Sequence, residues 1–369
     1  MARQLTIIHT EASPNWGGQE IRVFGEMISL RARGHRVMIV TPADCPLFLK
    51  SQASGIPAIA LTFRNNLFLK NLLFLRNLFR RERADVVNPH SSKDGWVASL
   101  AARMAGVPLI LRSRHIEVDY PKSFLSRHAF TTLPHHVVTT SERIRQRLIH
   151  ELGVAHNRID CVPTGVDLPQ FDPSLKSRLR SELGLGDSVR IVGMVSVLRS
   201  WKGHADFLHA AAQIAKERTE VHFVIAGDGP QRGEIDRKIA ELGLEQKVTP
   251  LGHREDVANL LAGYDCLVLP SHGREGVPQI VLQAHAMETP VVATRVGGIP
   301  EVVTDQKTGL LTPPQNAASL ARAIGHVLDD PAAAKARAKA ARGFVEKCHS
   351  QAVMADHLEI LYRRYVDWA

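Results

Sequence analysis

The residues best suited to chemistry lie in one stretch, Ser271-His272-Gly273-Arg274-Glu275-Gly276-Val277-Pro278-Gln279-Ile280-Val281-Leu282-Gln283, which follows an apolar run ending at Pro270. Gly276 lets the backbone approach a ligand closely. Pro278 suits the first turn of a helix, where its missing N–H costs nothing. The free N–H groups of that turn, aligned with the helix dipole, make an anion site. Glu275, just before the helix, can accept hydrogen bonds from sugar hydroxyls. Gln283 follows about 12 Å further along a helix rising ~1.5 Å per residue. That span suits a ligand with a sugar at one end, a diphosphate in the middle and a ribose at the other. A second constellation, Val197-Leu198-Arg199-Ser200-Trp201-Lys202-Gly203-His204, sits directly after an apolar run at Val189–Val195. Two cations at a strand's carboxyl end can neutralise a diphosphate leaving group.

Such residues need a scaffold. Short β-branched runs alternate with longer helical patterns along the whole chain, which predicts parallel βα units. The expected strands are Leu5–His9, Val37–Thr41, Asp85–Asn88, Pro108–Leu111, His136–Thr139 and Arg158–Val162 in the first half. A second series comprises Val189–Val195, Val221–Ala226, Val248–Leu251, Cys266–Leu269, Pro290–Ala293 and Gly309–Leu311. Helices are expected over Ile280–Met287, residues 332–342, and Val353–Trp368, whose apolar residues recur at helical spacing. Two series in tandem predict an α/β protein of two Rossmann-like, doubly wound parallel-sheet domains facing across a cleft, with ligands beyond the carboxyl ends of the strands. The Pro- and Gly-rich segment Pro163–Pro169 marks the joint. The expected division is 1–168 and 169–351, with helix 352–369 packing back on the first domain.

The stretch from Glu275 to Gln283 resembles the E-x7-E signature of family 4 glycosyltransferases, a retaining family of GT-B fold. The similarity extends over nearly the whole chain and is clearer in the second half. It implies that Glu275 holds the transferred sugar and that Gly276, Val277 and Pro278 lie against the donor. Gln283 stands where the family has a second glutamate, which binds ribose hydroxyls. An amide can also bond two hydroxyls, but charge-assisted bonds are roughly twice as strong, so the change bears on nucleotide affinity more than on sugar transfer. Lys202-Gly203 matches the family's K-G pair. The family's arginine sits earlier in the loop, where Ser196 and Val197 stand, and Arg199 is the substitute. Gly227 and Gly229 match its G-x-G-P turn, and His253-Arg254 its base-binding loop. Gly17-Gly18 match a loop that approaches the donor phosphate and the acceptor. In Arg112-Ser113-Arg114-His115, read as a loop after a strand, His115 is the match to a histidine near the reacting sugar, with His90 as a rival. A purely structural role for either histidine stays open.

The resemblance implies a metal-independent transfer with retention of configuration and no cofactor, and no D-x-D metal motif occurs. The expected partners are a UDP-, GDP- or ADP-linked sugar and a saccharide or lipid-linked acceptor such as an envelope glycan or lipopolysaccharide. A GT-B epimerase acting on the same donor, or a nucleotide-sugar-binding protein weakened in catalysis, are the alternatives.

Charge adds a further expectation. Residues 1–170 hold 22 Lys and Arg against 13 Asp and Glu, an excess of nine, whereas the remainder holds 24 against 24. Segment Phe63–Arg83 is a basic amphipathic helix with a single acid, Glu82. Such a helix either lies on an anionic membrane or packs its apolar face on its own sheet. Nucleic acid is not expected, since no helix-turn-helix, zinc finger or RNA-binding signature occurs. The four scattered cysteines and the lack of an apolar run near ~18 residues predict a reduced, cytoplasmic chain, peripheral on the inner face of the membrane if the basic helix docks there.

Overall fold

The computed structural model describes residues 3–119 and 123–366. Two compact units divide the chain. Unit 1 comprises the residues up to Gly165 together with those from Gln351 onward, and unit 2 is Val166–Ser350. The crossings fall a residue or three from the boundaries read in the sequence.

Unit 1 is built on a seven-stranded parallel sheet of β1 (Thr6–Thr10), β2 (Arg36–Thr41), β3 (Ala58–Ala60), β4 (Val86–Pro89), β5 (Leu109–Arg114), β6 (His136–Thr139) and β7 (Ile159–Cys161), in the order β3-β2-β1-β4-β5-β6-β7. The register aligns Ile7 with Val37 on one side and with Val86 on the other. Side chains alternate across the sheet, and both faces are covered, so the strands read as continuous apolar runs. Ile7, Val37 and Ile39 pack on Val23, Met27 and Leu30 of helix Gly18–Ala32 and on Met354, Leu358 and Tyr362 of helix Gln351–Arg363. Ile8, Met38 and Val40 face the opposite way, onto Leu75 and Phe79 of helix Phe68–Arg81 and Val97 and Ala101 of helix Ser92–Ala105.

Unit 2 repeats the plan with β8 (Arg190–Val195), β9 (Val221–Ala226), β10 (Val248–Gly252), β11 (Cys266–Leu269), β12 (Val291–Thr294) and β13 (Leu310–Thr312), in the parallel order β10-β9-β8-β11-β12-β13. In both sheets the winding reverses beside the first strand, between β1 and β4 and between β8 and β11. Open sheets of this topology bind ligands in the crevice at the carboxyl ends of those strands.

Six readings change. Strand β3 escaped notice because Ala58-Ile59-Ala60 is a three-residue edge strand with weak β propensity. β5 runs on to Arg114, so Arg112, Ser113 and Arg114 are buried strand residues and not a loop. Pro278 caps its helix instead of occupying the first turn, and that helix spans Gln279–Ala286. The 332–342 helix extends over Pro331–Cys348, while the C-terminal helix ends at Arg363 and Trp368 lies outside the described residues. Segment Phe63–Arg83 forms a 3-10 turn at Asn65–Leu67 and then helix Phe68–Arg81. No helix among the described residues is long and apolar enough to cross a membrane.

Candidate active site

At the reversal point of unit 2, the loop after β8 and the loop after β11 meet. The first turns through a 3-10 helix at Ser200–Lys202 and ends at Gly203, whose φ of +78° opens helix His204–Glu217. A Cβ at Gly203 would overlap the Pro270 carbonyl, so only glycine lets the two loops approach this closely. The contact brings Lys202 Nζ within 2.6 Å of Glu275 Oε1, which also accepts the Ser271 hydroxyl at 2.6 Å. Glu275 is 6% exposed. Its backbone is fixed from a third side: Gly298 N–H donates to the Glu275 carbonyl at 3.1 Å, and a Cβ at Gly297 (φ +53°) would strike that carbonyl. A buried carboxylate held this tightly costs little to reorganise when a ligand arrives, the condition for electrostatic catalysis.

Neighbouring residues complete the arrangement. Two guanidinium groups lie over the Trp201 ring, Arg199 at 5.3 Å and Arg274 at 5.2 Å from its centroid, each at cation–π range. His272 Nε2 meets Asp206 Oδ2 at 2.5 Å, and the His272 amide donates to the Trp201 carbonyl at 2.7 Å. Gly276 and Pro278 are buried, and Val277 is half-buried, just ahead of helix Gln279–Ala286. Gln283 is 6% exposed in the second turn of that helix. Gly227 and Gly229 follow β9 and press on the backbone of Ser196 and Leu198, while Leu198 N–H donates to the Asp228 carbonyl at 3.0 Å. They therefore brace the loop that carries Lys202. His253 is exposed. Arg254 is committed elsewhere: two bonds to Asp256, at 2.7 and 2.6 Å, and one to Glu182 at 3.0 Å leave its fork occupied. That pairing holds the Asp256 carboxyl down at about 2.

The corresponding point of unit 1 has a different chemistry. Gly17 and Gly18 start helix Gly18–Ala32, with the Gly17 amide donating to Glu20 at 2.9 Å. Glu11, the residue after β1, accepts the Ser13 amide at 2.8 Å and the Gln19 side chain at 2.5 Å. Burial, reinforced by Asp94 and Glu20, pushes its carboxyl up to about 8. His115 does not stand alone. His9 Nδ1 lies 2.8 Å from His90 Nε2, and His90 Nδ1 lies 2.9 Å from His115 Nε2, so the two rival histidines form one buried row with a third. Desolvation drives all three imidazoles towards neutrality: His9 falls to about 3, and His90 and His115 fall well below their ordinary value. Beneath the row, Arg22 Nε pairs with Glu26 at 2.8 Å, both fully buried. Asp94 caps the loop after β4 by accepting Thr10 Oγ1 at 2.6 Å and the amides of His90 and Ser91.

A cavity of about 330 Å³ lined by Arg190, Tyr264, Asp265, Glu288 and Lys335 opens elsewhere in unit 2. It lies at the amino ends of β8, β11 and β12, away from Lys202 and Glu275, so the topology argues against it as the substrate site. Sequence reading placed Ser271, His272 and Trp201 in the two key stretches without giving them a role, and missed Asp206, His9, Glu11, Arg22 and Glu26. Only the last three carried a signal, as charged residues in otherwise apolar βα segments.

Comparison with known proteins decides the family. The model for Glycosyltransferase Family 4 matches residues 16–170, and that for Glycosyl transferases group 1 matches residues 189–330. A 2-deoxystreptamine glucosyltransferase of Streptomyces kanamyceticus is 31% identical over 288 residues, covering 72% of this chain and 73% of the relative. The chain belongs to glycosyltransferase family 4. A second relative of this glycosyltransferase, the UDP-Gal:alpha-D-GlcNAc-diphosphoundecaprenol alpha-1,3-galactosyltransferase of Escherichia coli, is 30% identical over 71% of each chain. The crystal structure of Anabaena Alr3699/HepE in complex with UDP-glucose superposes with a TM-score of 0.87 at 22% identity, over 98% of this chain and 100% of that one. The fold is GT-B, and the protein is a glycosyltransferase that uses nucleotide-sugar donors.

Proposed function

We propose that this enzyme transfers a sugar, with retention of configuration and without a metal ion, from a uridine diphosphate sugar to a lipid-linked saccharide or envelope glycan. The observation that carries the reading is the meeting of Lys202 and Glu275 at the reversal point of unit 2. The Lys202–Glu275 pair opens on ligand arrival by movement of the lysine: Glu275, held in place, faces the sugar hydroxyls, and Lys202, with Arg199, meets the leaving diphosphate. The amides of Gly276, Val277 and Gln279 at the helix start add fixed positive charge where the leaving group develops negative charge. Gln283 takes the ribose. His253, Arg254, Gly227 and Gly229 serve the donor through backbone groups and loop geometry, since the Arg254 side chain is already paired. In unit 1, Gly17-Gly18 and His115 are the residues that the family resemblance assigns to the donor phosphate, the acceptor and the reacting sugar. The acceptor attacks on the face the leaving group vacates, and the departing phosphate takes its proton. Uridine is the base of first choice because the Escherichia coli relative is named for UDP-Gal and the Anabaena structure holds UDP-glucose.

The acceptor reading rests on that relative's diphosphoundecaprenol-linked acceptor and on the surface of unit 1. Helix Phe68–Arg81 turns Leu72, Leu75, Leu78 and Phe79 inward, yet leaves Leu69 and Phe74 exposed on a segment where Arg64, Lys70 and Arg83 are exposed as well. Apolar side chains among unpaired cations suit the inner face of an anionic membrane. The deciding experiment is thermal shift against UDP, GDP, ADP and their sugars in EDTA, followed by NMR of the product's anomeric configuration. Stabilisation by a uridine nucleotide and a retained anomer are expected. An inverted product, or turnover abolished by EDTA, would refute the mechanism. Binding without turnover on any lipid-linked acceptor would favour the weakened binding protein. For the membrane, co-sedimentation with phosphatidylglycerol vesicles should fall on Leu69→Asp with Phe74→Asp; equal binding of both forms, or none by the parent, removes the contact.

A further inference from the structure

One aromatic ring in unit 2 joins the two loops that carry Lys202 and Glu275. Trp201, beside Lys202 in the loop after β8, lies beneath the guanidinium of Arg199 from its own loop and that of Arg274 from the loop after β11, at 5.3 and 5.2 Å from the ring centroid. The loops are tied at this point, because the His272 amide donates to the Trp201 carbonyl. Arg190, Arg218 and Arg295 of the same unit each meet a carboxylate, at 2.9, 2.6 and 3.0 Å. Neither Arg199 nor Arg274 has a carboxylate partner among the described residues. The acids nearby are taken, Glu275 by Lys202 and Ser271, and Asp206 by His272. Arg274 also holds φ at +59°, a left-handed backbone that suits glycine better than arginine. The arginine stands there against its backbone preference, as residues with a ligand to meet often do.

Two like charges over one ring repel, a cost that the negative face of the indole helps to offset. An oxyanion bound to both removes it. The seat also keeps the donors available. A guanidinium paired with a carboxylate has committed part of its fork, whereas one resting over a ring keeps its N–H groups for a ligand. Charge balance points to the ligand. Each phosphate of a nucleotide diphosphate sugar carries one negative charge, and the diphosphate gains another as the sugar departs. Lys202 and Glu275 cancel each other and supply no net countercharge. Arg199 and Arg274 supply it, one for each phosphate.

We propose that Arg274 binds the donor diphosphate together with Arg199, and that Trp201 is the positioning residue that holds both guanidinium groups ready for it. This rests on the reading of Lys202 and Glu275 as the nucleotide-sugar site. It adds a phosphate-binding residue from the second loop, directly before the residue that faces the sugar, so that both loops close on one anion. It also gives the indole a part in donor binding that needs no contact with the base or the sugar.

The test is calorimetric titration of UDP and of inorganic pyrophosphate into the whole enzyme in EDTA, at low and at moderate salt. Arg274 is exposed, so Arg274→Gln removes its charge without disturbing the core. Both titrants should bind about tenfold more weakly to Arg274→Gln, the size of one charge-assisted contact. UDP binding should also become less sensitive to salt. Arg274→Lys, which keeps the charge and loses the fork, should recover part of the loss. In a Trp201→Leu background, Arg274→Gln should cost about threefold or less, because the arginine has already lost its seat. Affinities unchanged in Arg274→Gln, or lost equally in Arg274→Lys, overturn the phosphate contact. An equal cost of Arg274→Gln with and without the indole overturns the part given to Trp201. Should Trp201→Leu not fold, Trp201→Phe serves by the same criterion. A loss confined to a UDP-linked uronic acid would move Arg274 to a sugar carboxylate and overturn the proposal. A parent that binds neither titrant removes the donor reading and the proposal with it, whereas equal binding by parent and Arg274→Gln removes the proposal alone.

Discussion

The two reversal points of this molecule share a topology and differ in how they treat charge. In unit 2, Lys202 and Glu275 form an ion pair with the ammonium 19% exposed, so water or a ligand can reach it. In unit 1, the same position in the sheet holds three neutral imidazoles and a carboxyl held protonated up to about 8. A diphosphate brings its own charge and needs formal countercharge, which a lysine that a ligand can reach supplies. Neutral hydroxyls need oriented dipoles, which act best where water is excluded. One fold, used twice, thus offers a charged half and a neutral half.

The comparison can be broken most severely at Glu275. Glu275→Gln keeps the shape and the Ser271 contact but removes the charge that faces the sugar; turnover should fall by about 10²–10³ while UDP binding changes by less than about threefold. Steady-state kinetics beside calorimetry would separate the two, and equal losses in both would make Glu275 a binding residue only. Lys202→Ala should cost about 10² in turnover and about tenfold in UDP affinity, with Lys202→Arg recovering part of each. Unaltered UDP affinity would show that the lysine serves Glu275 and not the phosphate.

Glu11 sharpens the neutral half. Its folded pKa is raised above the ordinary 4.5, so its contribution to stability is full below that value and is lost as pH rises through about 8. Above pH 6.5, where the buried histidines no longer titrate in either state, thermal midpoints of the parent should therefore decline up to about pH 8.5, and Glu11→Gln should flatten the decline. Parallel curves would mean that Glu11 ionises freely. The smallest effect belongs to Gln283: restoring a carboxylate with Gln283→Glu should tighten UDP binding by about three- to tenfold. No gain would show that the amide already satisfies its partner.

Much of this was legible in the sequence because it is local. Apolar runs of four to six residues set the strands, and Glu275, Gly276, Pro278 and Lys202-Gly203 announce themselves within short segments. What stayed hidden depends on which strands become neighbours. Lys202 and Glu275 are 73 residues apart, and His9 and His90 are 81 apart, joined only by a strand order that periodicity does not encode. Arg112 and Arg114 read as a loop because cations seldom lie in a buried strand. Nothing in the local pattern around Arg254 reveals that its side chain pairs with Glu182, 72 positions away.

The return of the chain to unit 1 after Ser350 has a consequence for its biogenesis. Val166 and Ser350 bridge side by side, and the Val166 amide donates to the His349 carbonyl at 2.7 Å, so unit 2 begins and ends at one point. It is a closed cassette spliced into a host. A nascent chain leaving the ribosome completes the cassette while the host still lacks Met354, Leu358, Leu361 and Tyr362 from its core. Domains generally fold as units as they emerge. Unit 2 would therefore mature first, and unit 1 would be sealed only once the helix beyond Ser350 has been translated.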